Sequence, residues 1–147
     1  MVDADLLALR EENAPGEFDY WSRDKVANSY YADSSRSYIL ESPEGKVIGH
    51  AVFQCVLDEA SLLNIGITIE YRRLGYGRQL LLSSLQDLAN EGTRRSLLEV
   101  RCSNHSAIAL YEKLGFSKDG VRKNYYPSES GSEDALLMSI NIEGDLV

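Results

Sequence analysis

Two glycines at the junction between an apolar strand pattern and a helix pattern limit this chain more than any other feature. They stand in Arg72-Arg73-Leu74-Gly75-Tyr76-Gly77-Arg78, after a segment from Glu59 to Ile69 that reads as a strand. Beyond them Leu81, Leu85, Leu88 and Ala89 recur at helical spacing, so a helix is expected through about Asn90. Glycine lets the backbone curl and come close to a ligand. The first turn of a helix carries unpaired N–H groups and the positive end of its dipole. With Arg73 and Arg78 beside it, this turn is a candidate cradle for a pyrophosphate. The plainer alternative is a strand-to-helix turn that needs glycine only for its backbone, since short glycine patterns arise easily by chance. Two other phosphate loops are excluded. No Lys-Ser/Thr pair follows the glycines, and the third glycine of a dinucleotide fingerprint is missing.

The segments around this unit set the fold class. Tyr38 to Glu41 and Lys46 to Leu57 flank Ser42-Pro43-Glu44-Gly45 and predict a hairpin. Pro43 fixes φ at the second position of that turn and Gly45 closes it. Leu57-Asp58-Glu59 connects to the third strand, and Gly66 within it is a candidate bulge that splays this strand from the one carrying Glu99. Downstream, Ser96 to Arg101 reads as a strand, Ser106 to Leu114 as a helix ended by Gly115, and Phe116 to Arg122 as a strand. A loop rich in Ser, Gly and Glu, from Pro127 to Asp134, is expected before a last strand, Ala135 to Ile142. Upstream, Asp5 to Glu12 has helical spacing. Ser22 is a good N-cap for a helix to about Tyr31, with Trp21 and Val26 placed as a hydrophobic staple. The order predicts an α/β fold, with a mixed, mostly antiparallel sheet flanked by helices.

Composition narrows the function classes. A chain of 147 residues suits one domain over 1–147 with a sizeable core. A net charge of −8 argues against direct nucleic-acid binding, which needs basic surface. It fits plain solubility, or a basic macromolecular partner. No apolar run approaches the roughly 20 residues of a membrane span, and the N-terminus lacks the features of a signal peptide. Cys55 and Cys102 make no disulfide framework, so a cytoplasmic setting is expected. His50 and His105 have no ligand-spaced partners, and no metal is expected.

Arg72-x-x-Gly75-x-Gly77 after a strand resembles the acetyl-coenzyme A loop of the GCN5-related N-acetyltransferase superfamily. Longer blocks are similar to its RimI group, bacterial enzymes that acetylate the N-terminal alanine of small-subunit ribosomal protein eighteen. These are Val56-Leu57-Asp58-Glu59-Ala60, the run from Leu97 to Asn104, the run from Ala107 to Phe116, and Arg122-Lys123-Asn124-Tyr125-Tyr126-Pro127. The likeness extends from about Lys46 to Ile142. It implies a coenzyme-binding and catalytic core over about 46–142, with acetyl-CoA as co-substrate and a monomeric enzyme. The acceptor it implies is the N-terminal tail of a basic protein, ribosomal protein eighteen.

Roles follow from the residues and the resemblance together. Glu99 lies on a strand otherwise made of Leu97, Leu98 and Val100, and apolar surroundings make a carboxylate a candidate general base. The resemblance makes it the proton acceptor; the structural alternative is an ion pair with Arg101. Tyr111 is by resemblance the proton donor to the departing thiolate, and otherwise a core aromatic. Asn104 is a helix cap or turn residue that the resemblance also sets against the coenzyme. The resemblance further implies coenzyme contacts from Ile65, Gly66, Ile67, Arg73, Leu74, Gly75, Tyr76, Gly77 and Arg78. The pantetheine arm is expected to lie along Ile65-Gly66-Ile67 like an added strand. Asn124, Tyr125 and Tyr126 are read as part of the acceptor wall, in the connection between the last two strands, with Tyr20 and Trp21 as partners. Three rival classes fit the same residues less well or stay open. A Cys102–His105 nucleophile lacks an orienting third residue. A non-catalytic coenzyme A sensor would not be expected to keep both Glu99 and Tyr111. A related acetyltransferase acting on lysine side chains or small amines stays open.

Overall fold

The computed structural model describes residues 34–142. The helices expected over 5–12 and from Ser22, and with them Tyr20 and Trp21, lie outside the described residues. Strand β1 (Ser35–Glu41) and β2 (Val47–Val56) form the first hairpin, and β2 pairs antiparallel with β3 (Glu59–Ile67). A single 3-10 turn (Ile69–Tyr71) leads through the glycine-rich segment into helix α1 (Tyr76–Asn90). Then come β4 (Arg95–Arg101), helix α2 (His105–Leu114), β5 (Ser117–Ser128) and β6 (Gly131–Asn141).

The six strands form one sheet in the order β1-β2-β3-β4-β6-β5. Every pairing is antiparallel except β3 with β4, which is parallel. Helix α1 is the crossover between those two strands, as a parallel pair requires. It sits on the sheet through Leu81, Leu85 and Leu88, all at most 1% exposed, against a core that includes Phe53, Leu98 and Met138. Tyr38 on β1 packs edge-on to Phe53 and donates its phenol proton to Asp87 of α1 at 2.7 Å. Together these contacts identify the face of the sheet that α1 covers. No helix among the described residues is long and apolar enough to cross a membrane.

Two local readings need correction. The expected loop from Pro127 to Asp134 is strand on both sides of a short turn, with Ser128 paired to Gly131. Gly131 takes φ +121, a left-handed value that suits a residue without Cβ, so the hairpin turns there and its polar residues lie in an edge hairpin. The bulge expected at Gly66 lies earlier. Val52 faces Asn64 while Phe53 faces Leu62, which makes Leu63 the extra residue, and Gly66 pairs regularly with His50.

Candidate active site

The parallel β3–β4 pairing runs only from Glu59/Arg95 to Leu62/Leu98. Beyond it the strands part, because β3 bulges at Leu63 while β4 continues straight along β6. A cleft of about 760 Å³ occupies the gap. Its lining brings together Ile65, Gly66 and Ile67 of β3, Glu99 of β4, Arg73, Gly75, Gly77 and Arg78 of the turn, Asn104 and Tyr111 of α2, and Tyr126 of β5. Of the expected coenzyme residues Leu74 and Tyr76 are not in the lining. Leu74 points outward, 65% exposed, and Tyr76 packs edge-on to Tyr71.

At one mouth, the turn is built as a cradle. Arg73 and Gly75 both take left-handed backbone, at φ 62 and 87, which curls the chain tightly. Gly75 is the N-cap of α1 and offers no side chain to its N–H groups. A Cβ at Gly75 would meet nothing within 4 Å, and one at Gly77 would only touch Leu110 and Ile67 at 3.7 and 3.9 Å. The helix start therefore faces open cleft. Arg72 ties the turn to the strand end, its Nε donating to the Ile67 carbonyl at 2.9 Å. Residues with these properties fit a pyrophosphate, and the unpaired β3 edge beyond Leu62 fits an amide-bearing arm.

Glu99 is on the other side of the sheet. Leu62 pairs with Phe53 and lies beside Leu98, so these side chains face α1, and strand alternation turns Glu99 away from it. Its carboxylate is not in apolar surroundings. It pairs with Arg122 of β5 at 3.3 Å and is 31% exposed. Tyr125 donates its phenol proton to it, and this bond together with the carboxylate's charge raises the tyrosine's pKa. Arg101, the partner considered from sequence, is instead engaged by Glu133 across the sheet at 3.3 Å, by the Pro127 carbonyl at 3.0 Å, and by the face of Tyr126. The Ser103 groups bonded to Glu133, and then Arg101, hold that carboxyl below its usual range.

The remaining expectations divide. Asn104 caps α2, its side chain accepting from the Ala107 N–H at 3.2 Å. Tyr111 is 6% exposed, with its ring 5.7 Å from Phe116. Asn124, Tyr125 and Tyr126 belong to β5, not to a connection between strands. Asn124 lies outside the cleft. At φ 54 it sits in the register shift between Arg122 and Tyr126, its N–H donating to Asp134 at 2.9 Å and its Oδ1 accepting from Ser132. That shift lets Tyr125 reach Glu99 and Tyr126 reach the cleft. The lining also includes Asn64, Tyr71 and Leu110, which the sequence reading did not single out. Only Leu110 had a legible signal, since Ala107, Leu110, Tyr111 and Leu114 share one helical face.

The family model described as "Acetyltransferase (GNAT) family" matches residues 6–116. The chain belongs to this family. Members of the GNAT family are acetyl-CoA-dependent N-acetyltransferases. Among curated relatives of this GNAT protein, the "[Ribosomal protein bS18]-alanine N-acetyltransferase" of Escherichia coli K12 is 48% identical over 98 residues, which are 67% of this chain and 66% of the relative. This chain thus spans just under two-thirds of that relative in the match. The enzyme of the same name from Haemophilus ducreyi is 33% identical over 95% of this chain and 96% of its own. The crystal structure of the Escherichia coli ribosomal-protein-S18-alanine N-acetyltransferase matches with a TM-score of 0.84 at 38% identity, over 96% of this chain and 90% of that one. The mixed sheet flanked by helices is the GNAT fold.

Proposed function

We propose that this protein transfers acetyl from acetyl-CoA to the α-amine at the N-terminus of a protein, and that this acceptor begins with alanine, as in ribosomal protein bS18. The supporting observation is a single cleft that passes through the sheet. It joins a glycine-turn cradle on the α1 side to an oriented carboxylate, Glu99, on the opposite side. The names of the relatives supply the acceptor. The core of the activity is the stretch over 46–142, in a monomeric cytoplasmic enzyme that uses no metal.

Acetyl-CoA, when bound, supplies the thioester carbon that the amine attacks. The helix start at Gly75, Gly77 and Arg78, with Arg73, holds the pyrophosphate, and the backbone of Ile65, Gly66 and Ile67 holds the pantetheine arm. An α-amino group has a reference pKa of about 7.7–8.0, so one proton must leave before attack. Glu99 accepts it, directly or through a water, with Arg122 and Tyr125 fixing the carboxylate's direction. Tyr111 gives its phenol proton to the thiolate that departs. Tyr126 and the Arg101 beneath it form part of the acceptor wall.

The test is mass spectrometry of three acceptors offered with acetyl-CoA: a peptide bearing the N-terminus of bS18, an internal-lysine peptide, and spermidine. Acetyl on the α-amine of the first, with the others unmodified, is the expected result. Modification of lysine or spermidine alone would replace this reading with a side-chain or small-amine acetyltransferase.

A further inference from the structure

His50 is a histidine that the mechanism above leaves unused, although it is 1% exposed and sits one strand away from the cleft. Its Nε2 lies 2.6 Å from Oδ1 of Asn64, and Asn64 lines the cleft. A carboxamide oxygen carries no proton, so in this bond the imidazole donates from Nε2. The amide's orientation is thereby fixed, with its two N–H donors turned away from the histidine. Burying an imidazole solely to hold one surface amide would be a costly arrangement, since a buried polar group must be satisfied.

The face on which Asn64 lies is set by the bulge. Leu62 faces α1, and strict alternation would put residue 64 on that same side. The extra residue at Leu63 reverses the phase. Ile65 and Ile67 therefore face α1, and Ile67 comes within 3.9 Å of a Cβ built at Gly77. Asn64 pairs with Val52 and shares its side of the sheet with His50 and Glu99. The same irregularity that opens the slot also delivers a preset amide donor to the side of Glu99.

We propose that Asn64, positioned by His50, determines acceptor specificity by donating its carboxamide N–H to the carbonyl oxygen of the acceptor's first peptide bond. This rests on the reading of the cleft as a peptide α-amine acetylation site. A terminal α-amine has a peptide carbonyl two atoms from its nitrogen; a lysine ε-amine and a polyamine have none at that distance. A site that hydrogen-bonds this group rejects acceptors lacking it, because its own donor is left unpaired.

The test compares two acceptors with the same sequence, an alanine-initiated peptide and its analogue with an alkene in place of the first amide. Both are assayed with the unaltered enzyme, Asn64→Leu and His50→Phe. The unaltered enzyme is expected to favour the peptide on the order of tenfold in kcat/KM, the factor one neutral hydrogen bond supplies. Asn64→Leu is expected to lose that preference, the peptide's kcat/KM falling towards the alkene's and the alkene's rising as the unpaired donor is removed. His50→Phe keeps the ring's volume and removes the bond to Asn64; it should raise KM for the peptide with kcat little changed. Equal rates for the two acceptors with the unaltered enzyme would overturn the proposal, with no variant needed. So would a preference that survives in both variants. Absence of any α-amine acetylation by the unaltered enzyme would instead remove the function on which it rests.

Discussion

Glu99 has two polar neighbours on one strand that both restrain it: Arg122 pairs with one oxygen at 3.3 Å and the Tyr125 phenol donates to the carboxylate. Removing the charge but not the shape is therefore the cleanest probe. Glu99→Gln is expected to lower kcat for peptide acetylation by about 10²–10⁴-fold, the usual worth of a general base. Calorimetry should find acetyl-CoA binding nearly unchanged, since the residue lies across the sheet from the cradle; undiminished turnover at neutral pH would dismiss the role. The two cradle glycines need different handling. Gly75 has φ +87, so any side chain there strains the backbone as well as intruding on the ligand. Gly77 has no such constraint, and its Cβ would meet only ordinary contacts at 3.7 and 3.9 Å. Gly77→Val is thus expected to abolish acetyl-CoA binding while leaving the melting temperature within a few degrees of the parent. Normal binding by that variant would move the pyrophosphate elsewhere.

The elements that position this chemistry are clamped at the outer edge of the sheet, where β1 meets α1. Tyr38 donates to Asp87 and Arg36 pairs with Glu91 at 3.3 Å. Desolvation first, and then the bond to Asp87, push the Tyr38 phenol well above its usual range in the folded protein. A group whose folded pKa is raised contributes stability that is complete below its unfolded value, about 10, and fades as pH rises through the folded one. Urea midpoints for the parent and Tyr38→Phe should therefore lie furthest apart below about pH 9 and draw together only as the pH is raised beyond about 10. A constant gap would assign Tyr38 to packing alone. The helix of this pair was fully legible in the sequence, because Leu81, Leu85 and Leu88 repeat at 3.6-residue spacing and one face meets the core. The turn and its glycines were legible for a related reason, since φ +87 at Gly75 is a local demand. What was not legible depends on strand partners. Glu99 and Arg101 share a face, yet each is engaged from another strand, by Arg122 on β5, two strands away, and by Glu133 on the adjoining β6. The 127–134 stretch looked like loop because its polar residues belong to an edge hairpin with little to bury. Asn64 faces Glu99's side only because of a bulge whose position no local residue announces.

At the scale of the whole molecule, charge is divided between two tasks. Arg72, Arg73 and Arg78 line the cleft where an anionic coenzyme would enter, although the protein as a whole carries a net charge of −8. The rest of the chain therefore carries more negative charge than that total suggests. A cationic protein tail would be drawn to it, and the attraction would act before contact, through the encounter rate. Added salt shortens its reach, from a screening length of about 10 Å at 0.1 M to about 3 Å at 1 M. With an arginine-rich, alanine-initiated peptide, kcat/KM is expected to fall about tenfold or more over that salt series, while kcat at saturating peptide holds. A matched peptide with its arginines changed to glutamine should start from the lower value and respond little to salt. Locating the acetyl group by mass spectrometry in every sample completes the measurement, because blocking the α-amine should abolish product from both peptides. If the two peptides instead respond alike to salt, the negative surface serves solubility and the acceptor is chosen wholly within the cleft. If internal lysines are acetylated while the N-terminus stays free, charge attracts the tail but the site reads a side-chain amine.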